Sequence, residues 1–200
     1  RRKDGTVYEL HHRYLPAATI TTGIVVGALV TISSVGAGVL GTVAPLPNYP
    51  NVKDLVPNLE PLIQKHAAIK PFIIFTNQAE IDEPTGEFIQ TPDEREEISQ
   101  FTHCIKCGLC LAACPTVATD PEFLGPQALA QAYRYSADNR DCGLKERLVA
   151  IDIFHGPYQC HMAGACSQAC PKGVDPALGI QLLKRTLVLD SIGFGKKEKH

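Results

Sequence analysis

The cysteines are the residues of this sequence whose type and spacing indicate chemistry. The chain has 200 residues and eight Cys, and four of them form the pattern C-x2-C-x2-C-x3-C-P: Cys104, Cys107, Cys110 and Cys114, followed by Pro115. In such a run three thiolates bind three irons of one cluster from a tight loop, while the fourth binds a second cluster. Zinc sites use two separate C-x2-C pairs, and cysteines this close cannot readily form unstrained disulfides with one another. The pattern therefore favours an iron–sulfur site.

A second run, residues 160–171, repeats the first with one change, because Ala163 stands where the second Cys would be. Exchanging the fourth Cys between the runs, as two-cluster ferredoxins do, divides seven cysteines into two sets. The first cysteine set, which we expect to bind a [4Fe–4S] cluster, is Cys104, Cys107, Cys110 and Cys170. The second cysteine set, which we expect to bind a [3Fe–4S] cluster because position 163 offers no thiolate, is Cys114, Cys160 and Cys166.

The eighth cysteine, Cys142, lies in a charged stretch without a partner at ligand spacing. We expect it to be a structural or free thiol. If its thiolate reached the corner left open by Ala163, the second cluster would be [4Fe–4S] instead.

Composition and patterning predict a mainly α protein: an α-helical, two-cluster ferredoxin-like domain preceded by an apolar Gly/Thr/Val-rich N-terminal segment. With 19 Lys and Arg against 21 Asp and Glu, no strong positive charge points to nucleic acid. Residues 1–44 form an N-terminal segment that is either the remnant of a degenerate ferredoxin domain or a membrane span over the uncharged stretch 17–43. A connector with helices follows over 45–90, then the two-cluster domain over 91–190 and a basic tail over 191–200.

Three helices can be predicted locally. Thr91 followed by Pro92 and Glu94 is a capping box with Pro at the first helical position, so we expect a helix over about 92–102. Four apolar residues at helical spacing predict a helix in the connector: Leu55, Leu59, Leu62 and Ile63. Three more mark the buried face of a final helix: Ile180, Leu183 and Leu187.

The segment from Pro45 to Leu189 resembles the iron–sulfur subunit of succinate dehydrogenase and fumarate reductase, respiratory complex II. The likeness extends beyond the cysteines to seven stretches in the family's order: Pro47–Val56, Ile69–Phe72, Ile89–Pro92, Pro121–Pro126, Ala132–Tyr135, Asn139–Asp141 and Cys170–Pro176. The resemblance implies a non-catalytic subunit that passes electrons between a flavoprotein subunit carrying FAD and a membrane quinone. The ligand sets above are also the family's own, with the three-iron cluster facing the quinone.

The same resemblance implies a quinone site at the interface with one or more membrane anchor subunits, with or without haem b. Four residues fall where the family places that site: Pro115, Thr116, His161 and Lys184. His161 could equally be a helix-capping or cluster-shielding imidazole, and Lys184 an exposed charge. The implied location is the matrix face of the mitochondrial inner membrane or the cytoplasmic face of a prokaryotic plasma membrane.

One departure from the family lies at the front of the chain. The family's iron–sulfur subunit begins with a ferredoxin domain whose [2Fe–2S] cluster needs four Cys, and no Cys precedes Cys104 here. Either a separate ferredoxin chain supplies that cluster, which is our hypothesis, or the domain is missing from this sequence. Two other functions remain open: the iron–sulfur subunit of a heterodisulfide, glycolate or glycerol-3-phosphate oxidoreductase, and a membrane-tethered ferredoxin.

Overall fold

The computed structural model describes residues 45–76, 79–83 and 86–194, and these belong to a compact unit that begins at Pro45. The predictions for 1–44 and for the last six residues of the basic tail lie outside the described residues. The described helices are α1 (Glu60–Ala68), α2 (Ala79–Asp82), α3 (Pro92–Thr102), α4 (Leu109–Ala112), α5 (Pro115–Thr119), α6 (Gly125–Ala137), α7 (Leu144–Ile151), α8 (Ala165–Gln168) and α9 (Pro176–Ser191), with a 3₁₀ turn at Pro157–Gln159.

A short hairpin opens the described part of the chain. Strand β1 (Asn51–Lys53) pairs antiparallel with β2 (Val56–Pro57), and Asp54 turns the chain between them with a positive φ of 52°. The prediction that Leu55 belongs to a helix is therefore wrong. Helix α1 starts later, after the Asn58 side chain accepts a hydrogen bond from the Glu60 N–H at 2.9 Å, a common way to satisfy a free N–H at a helix start.

The predicted helix after Thr91 is confirmed as α3, Pro92–Thr102. The Thr91 hydroxyl accepts from the Glu94 N–H, and the Glu94 carboxylate accepts from the Thr91 N–H, so the capping box is complete. Ile98 and Phe101 are its buried residues. Cys104 follows shortly after α3, so the capped and packed helix fixes the position at which the first cysteine run begins.

Helices α6 and α9 pack together at the centre of the unit. Gly179 permits close approach, because a Cβ at this position would lie 2.9 Å from the Phe101 ring and 3.2 Å from the Ala130 Cα. The predicted buried face of α9 is confirmed: Ile180, Leu183 and Leu187 are all buried. The prediction of a mainly helical fold is likewise confirmed for the described residues.

The connector is attached to the helices by polar side chains. The buried Arg147 guanidinium pairs with both oxygens of Asp141 at 2.8 and 3.1 Å and donates to the Phe72 carbonyl at 3.1 Å. The Lys65 ammonium group donates to the carbonyls of Pro121 and Phe123 at 2.6 and 2.7 Å. These contacts join residues 65–72 to the loop before α6 and to α7.

In the ranges that the structure describes, no helix combines the length and the hydropathy required to cross a bilayer.

Candidate metal centre

The two cysteine runs fold into the same backbone shape, which we call the first and second cysteine loops (104–115 and 160–171). Lys106 and Met162 both adopt positive φ, 56° and 59°, although neither is a glycine. Gly108 and Gly164 follow at matching positions with φ of 79° and 70°. Each loop then forms a one-turn helix, α4 or α8, so the second loop keeps the shape of the first.

The first cysteine set lines one cavity. Cys104, Cys107, Cys110 and Cys170 surround it together, although Cys170 is 60 residues or more from the others in sequence. The rest of the lining includes apolar side chains such as Ile105, Val174 and Pro176. Four thiols around one largely apolar cavity fit the ligand chemistry of a [4Fe–4S] cluster.

The pKa of the Cys110 thiol also shows that the members of the first set lie close together. Burial, and to a smaller extent the charges of the neighbouring cysteines, raise the pKa of the Cys110 thiol to about 12; these neighbours are Cys104, Cys166, Cys107 and Cys170. A thiol in this position stays protonated until a cation binds, because thiolates repel one another in a partly buried site. Metal binding must therefore displace protons.

The second cysteine set gathers around Cys166. Burial raises the pKa of this thiol, and Cys114 and Cys160 act in the same direction, while hydrogen bonding with Ser167 lowers it. Cys114 and Cys166 are buried and Cys160 is half-buried. Ala163 is exposed, as is its counterpart Cys107 in the first loop. Because Ala163 carries no thiol, the second set offers three thiols where the first offers four.

Cys142 lies where the connector meets α7, and its N–H donates to the Ile74 carbonyl at 2.8 Å. It neither lines the cavity of the first set nor contributes to the described pKa shifts of Cys110 and Cys166.

Across the described residues, no group of three or more His, Cys, Asp or Glu side chains converges on a single-ion position. In an iron–sulfur cluster each thiolate binds its own iron, so the ligands surround a volume rather than one point.

Two connector residues bind the first cysteine loop, and the sequence patterns did not indicate their role. The Asn48 amide donates to the carbonyls of Leu111, Ala112 and Cys114 at 2.9–3.0 Å, which satisfies acceptors at the end of α4. The buried Tyr49 hydroxyl donates to the Gly108 carbonyl at 3.0 Å. Both residues belong to the Pro47–Val56 stretch that carries the family resemblance, which was the available signal.

The second cysteine loop is bound to α9 by a different device. The Asp175 carboxylate accepts from the Leu178 N–H at 2.9 Å, which caps the helix, and it also accepts from the Ser167 hydroxyl. Ser167 in turn accepts from the Ala177 N–H at 3.2 Å. The residue after Cys166 is thereby joined to the start of the helix that packs in the centre of the unit.

The four expected quinone residues lie beside the second cysteine set but differ in exposure. Pro115 and His161 are exposed and directly follow Cys114 and Cys160. Lys184 is half-buried, and its ammonium group donates to the Cys160 carbonyl at 3.2 Å.

Thr116, the fourth of these residues, is only 3% exposed. Its side chain therefore faces the interior of the described fold.

The sequence matches the family described as "4Fe-4S dicluster domain" over residues 100–174, which include all eight cysteines. It is 42% identical over 144 residues to the fumarate reductase iron-sulfur subunit of Mycobacterium tuberculosis (strain CDC 1551 / Oshkosh), covering 72% of this chain and 58% of that protein. It is 46% identical over 136 residues to the fumarate reductase iron-sulfur subunit of Escherichia coli O6:H1, covering 68% and 54%.

The chain is also similar to the succinate dehydrogenase iron-sulfur subunit of Paracoccus denitrificans, at 37% identity over 145 residues, covering 72% of this chain and 54% of that protein. It thus spans a little over half the length of these curated relatives. Together with the paired cysteine loops, these matches show that the chain contains a 4Fe-4S dicluster domain and is similar to the C-terminal part of fumarate reductase and succinate dehydrogenase iron–sulfur subunits.

Proposed function

We propose that this chain is the electron-transfer iron–sulfur subunit of a succinate:quinone oxidoreductase. In that role it is non-catalytic: succinate and fumarate chemistry belongs to a partner flavoprotein subunit that carries FAD. The observation that carries the proposal is the pair of cysteine loops with one backbone shape, of which the second lacks one thiol, at Ala163.

The proposed ligands follow the two cysteine sets. Cys104, Cys107, Cys110 and Cys170 hold a [4Fe–4S] cluster, supported by their common cavity. Cys114, Cys160 and Cys166 hold a [3Fe–4S] cluster, supported by their mutual influence on the Cys166 thiol. Bound clusters supply one-electron transfer without a substrate site of their own.

The chain's own residues fix these ligands in place. Asn48 and Tyr49 bind the first loop from the connector, and Ser167 and Asp175 join the second loop to α9. Ligands held by such contacts change little in position, so a change of cluster charge requires little rearrangement of the protein.

On the membrane side, we propose that a quinone binds near the second cysteine set, with Pro115, His161 and Lys184 at its edge. Lys184 supports this placement because its charge lies at the Cys160 carbonyl, where it can stabilise a developing negative charge. Thr116 would shape the site through packing, given its burial.

The proposed partners are the flavoprotein, membrane anchor subunits with or without haem b, and a separate chain for the [2Fe–2S] cluster. The complex would then lie on the matrix face of a mitochondrial inner membrane or the cytoplasmic face of a prokaryotic plasma membrane.

Electron paramagnetic resonance of the purified complex, oxidised and then reduced stepwise, tests the ligand sets when combined with an iron count. We expect a three-iron signal in the oxidised state and one reducible [4Fe–4S] cluster. Two [4Fe–4S] clusters would contradict the assignment and direct attention to Cys142. A preparation with no stoichiometric flavoprotein would contradict the proposed complex and favour a tethered ferredoxin.

The substitution Ala163→Cys tests the open corner directly. The second loop already has the backbone of the first, so a thiol at position 163 should convert the three-iron cluster toward [4Fe–4S] and slow quinone reduction. The matched control is Ala163→Ser, which adds a group of similar size with a much poorer iron ligand. Unchanged cluster spectra in Ala163→Cys would count against the ligand sets.

A further inference from the structure

Gln127 lines the cavity of the first cysteine set and carries a buried polar atom that has no hydrogen-bond partner. Gln127 lies on α6, is 2% exposed and lines this cavity with the four cysteines. Its Nε2 lies 3.2 Å from Nδ1 of His66 on α1, while its Oε1 is buried and has no hydrogen-bond partner. Buried polar atoms are normally paired, so this one calls for a ligand.

The two ends of an amide have nearly the same shape, and which end is oxygen follows from the hydrogen bonds around it. Rotating the Gln127 amide by half a turn places Oε1 against His66 and points the N–H donors of Nε2 away from His66. Burial lowers the pKa of His66, and the charge of Lys106 lowers it further, so the imidazole is neutral. A neutral imidazole can carry its proton on Nδ1 and donate it to Oε1.

The chemistry of the cavity selects this rotated orientation. Thiolates and cluster sulfides are negatively charged acceptors, which repel a carbonyl oxygen and attract an N–H. We propose that Gln127 donates an amide hydrogen bond to a sulfur of the [4Fe–4S] cluster, with His66 as the positioning residue that holds the other end of the amide. This inference rests on the proposed function, because it requires the cluster at the first cysteine set.

The hydrogen bond has a defined consequence for the cluster. Donors to cluster sulfurs stabilise the added electron and so raise the reduction potential. Gln127 is thus a residue that sets how readily this cluster is reduced, and the contact with His66 extends that control to α1.

Gln131 provides a matched comparison. It lies one turn further along α6 and lines the same cavity. Its Nε2 already donates to the Phe101 carbonyl at 2.9 Å. The Gln131 amide therefore has an acceptor within the protein and does not need one in the cavity. Replacing either glutamine by methionine keeps a side chain of similar length and removes the amide.

The test is a redox titration of the [4Fe–4S] cluster in the purified complex, followed by electron paramagnetic resonance. Gln127→Met should reduce the equilibrium constant for one-electron reduction about tenfold, a fall of about 59 mV in midpoint potential. Gln131→Met should shift it clearly less, and His66→Phe should shift it in the same direction as Gln127→Met. Equal shifts in the two glutamine variants, or none, would overturn the proposal.

A direct measurement does not depend on whether Gln127→Met assembles. With ¹⁵N in the glutamine side chains, pulsed electron paramagnetic resonance of the reduced wild-type cluster should show a ¹⁵N coupling, which Gln131→Met retains. A wild-type [4Fe–4S] signal without that coupling rejects this inference alone. A wild-type complex without any [4Fe–4S] signal rejects the inference and the proposed function together.

Discussion

Removing the Arg147 side chain should destabilise the protein strongly, because it leaves a buried charge unpaired. In the Arg147–Asp141 ion pair the two side chains are 0% and 1% exposed. After Arg147→Met, the Asp141 carboxylate keeps only the N–H groups of Ile74 and Gly143 as partners, at 2.9 and 3.0 Å. The Phe72 carbonyl also loses its guanidinium donor.

The magnitude follows from the burial of this pair. Breaking a buried ion pair by removing one partner costs about 3–5 kcal/mol. For a chain of this size 1 kcal/mol corresponds to about 2–4 °C in Tm, so we expect a fall of about 6–20 °C. The double variant Arg147→Met/Asp141→Asn removes both charges and should lose less than the sum of the two single variants.

The assay is thermal unfolding of the purified complex at one fixed scan rate, because loss of bound clusters makes unfolding irreversible. Glu146→Gln is the matched control, since Glu146 lies on the same helix but forms an exposed pair with Lys70, and such pairs contribute little. If Arg147→Met and Glu146→Gln both left Tm nearly unchanged, the reasoning from burial would be refuted.

Two further predictions concern the first cysteine loop and the loop before α6. Gly108→Ala should lower Tm and iron content more than Gly164→Ala: both positions have positive φ, but a Cβ at 108 would lie 2.3 Å from the Tyr49 hydroxyl, whereas one at 164 meets nothing within 4 Å. Equal losses of Tm and iron content in the two variants would show that the Tyr49 side chain moves aside without cost. The second prediction concerns pH. The hydrogen bond from His155 lowers the pKa of Asp120, so the stabilisation from this carboxylate is present above its unfolded pKa and is lost as pH falls through the lower folded pKa. The difference in Tm between wild type and Asp120→Asn should therefore be largest near neutral pH and shrink on acidification. A difference that grew on acidification would contradict the predicted direction of this pH dependence.

The features that the sequence predicted correctly depend on residues close together in the chain. Thr91, Pro92 and Glu94 define the start of α3 within four positions, and the structure has the same capping box. The buried face of α9 is likewise a local helical repeat. The grouping of Cys170 with the first cysteine loop could be predicted although it is distant, because a known cluster geometry links the two runs.

The features that the sequence did not predict depend on distant partners or on backbone conformations that other residues impose. Asn48 binds carbonyls more than 60 residues away, and no local pattern marks such a contact. Lys106 and Met162 adopt positive φ, which side chains of their type rarely do. Leu55 fits a helical repeat, yet the hairpin turn at Asp54 takes it out of α1. The division of the chain into four parts stays a prediction.

The long-range contacts of the connector have a consequence for the order of folding. Asn48, Lys65 and the carbonyl of Phe72 find their partners 56 to 75 residues further along the chain. Closing loops of this length has an entropic cost that must be met before the contacts form. During synthesis the connector leaves the ribosome before its partners exist, since chains emerge from the N-terminus. We therefore expect the connector to consolidate late, after α6 and α7 are in place, and to close over the first cysteine loop as one of the last steps of assembly.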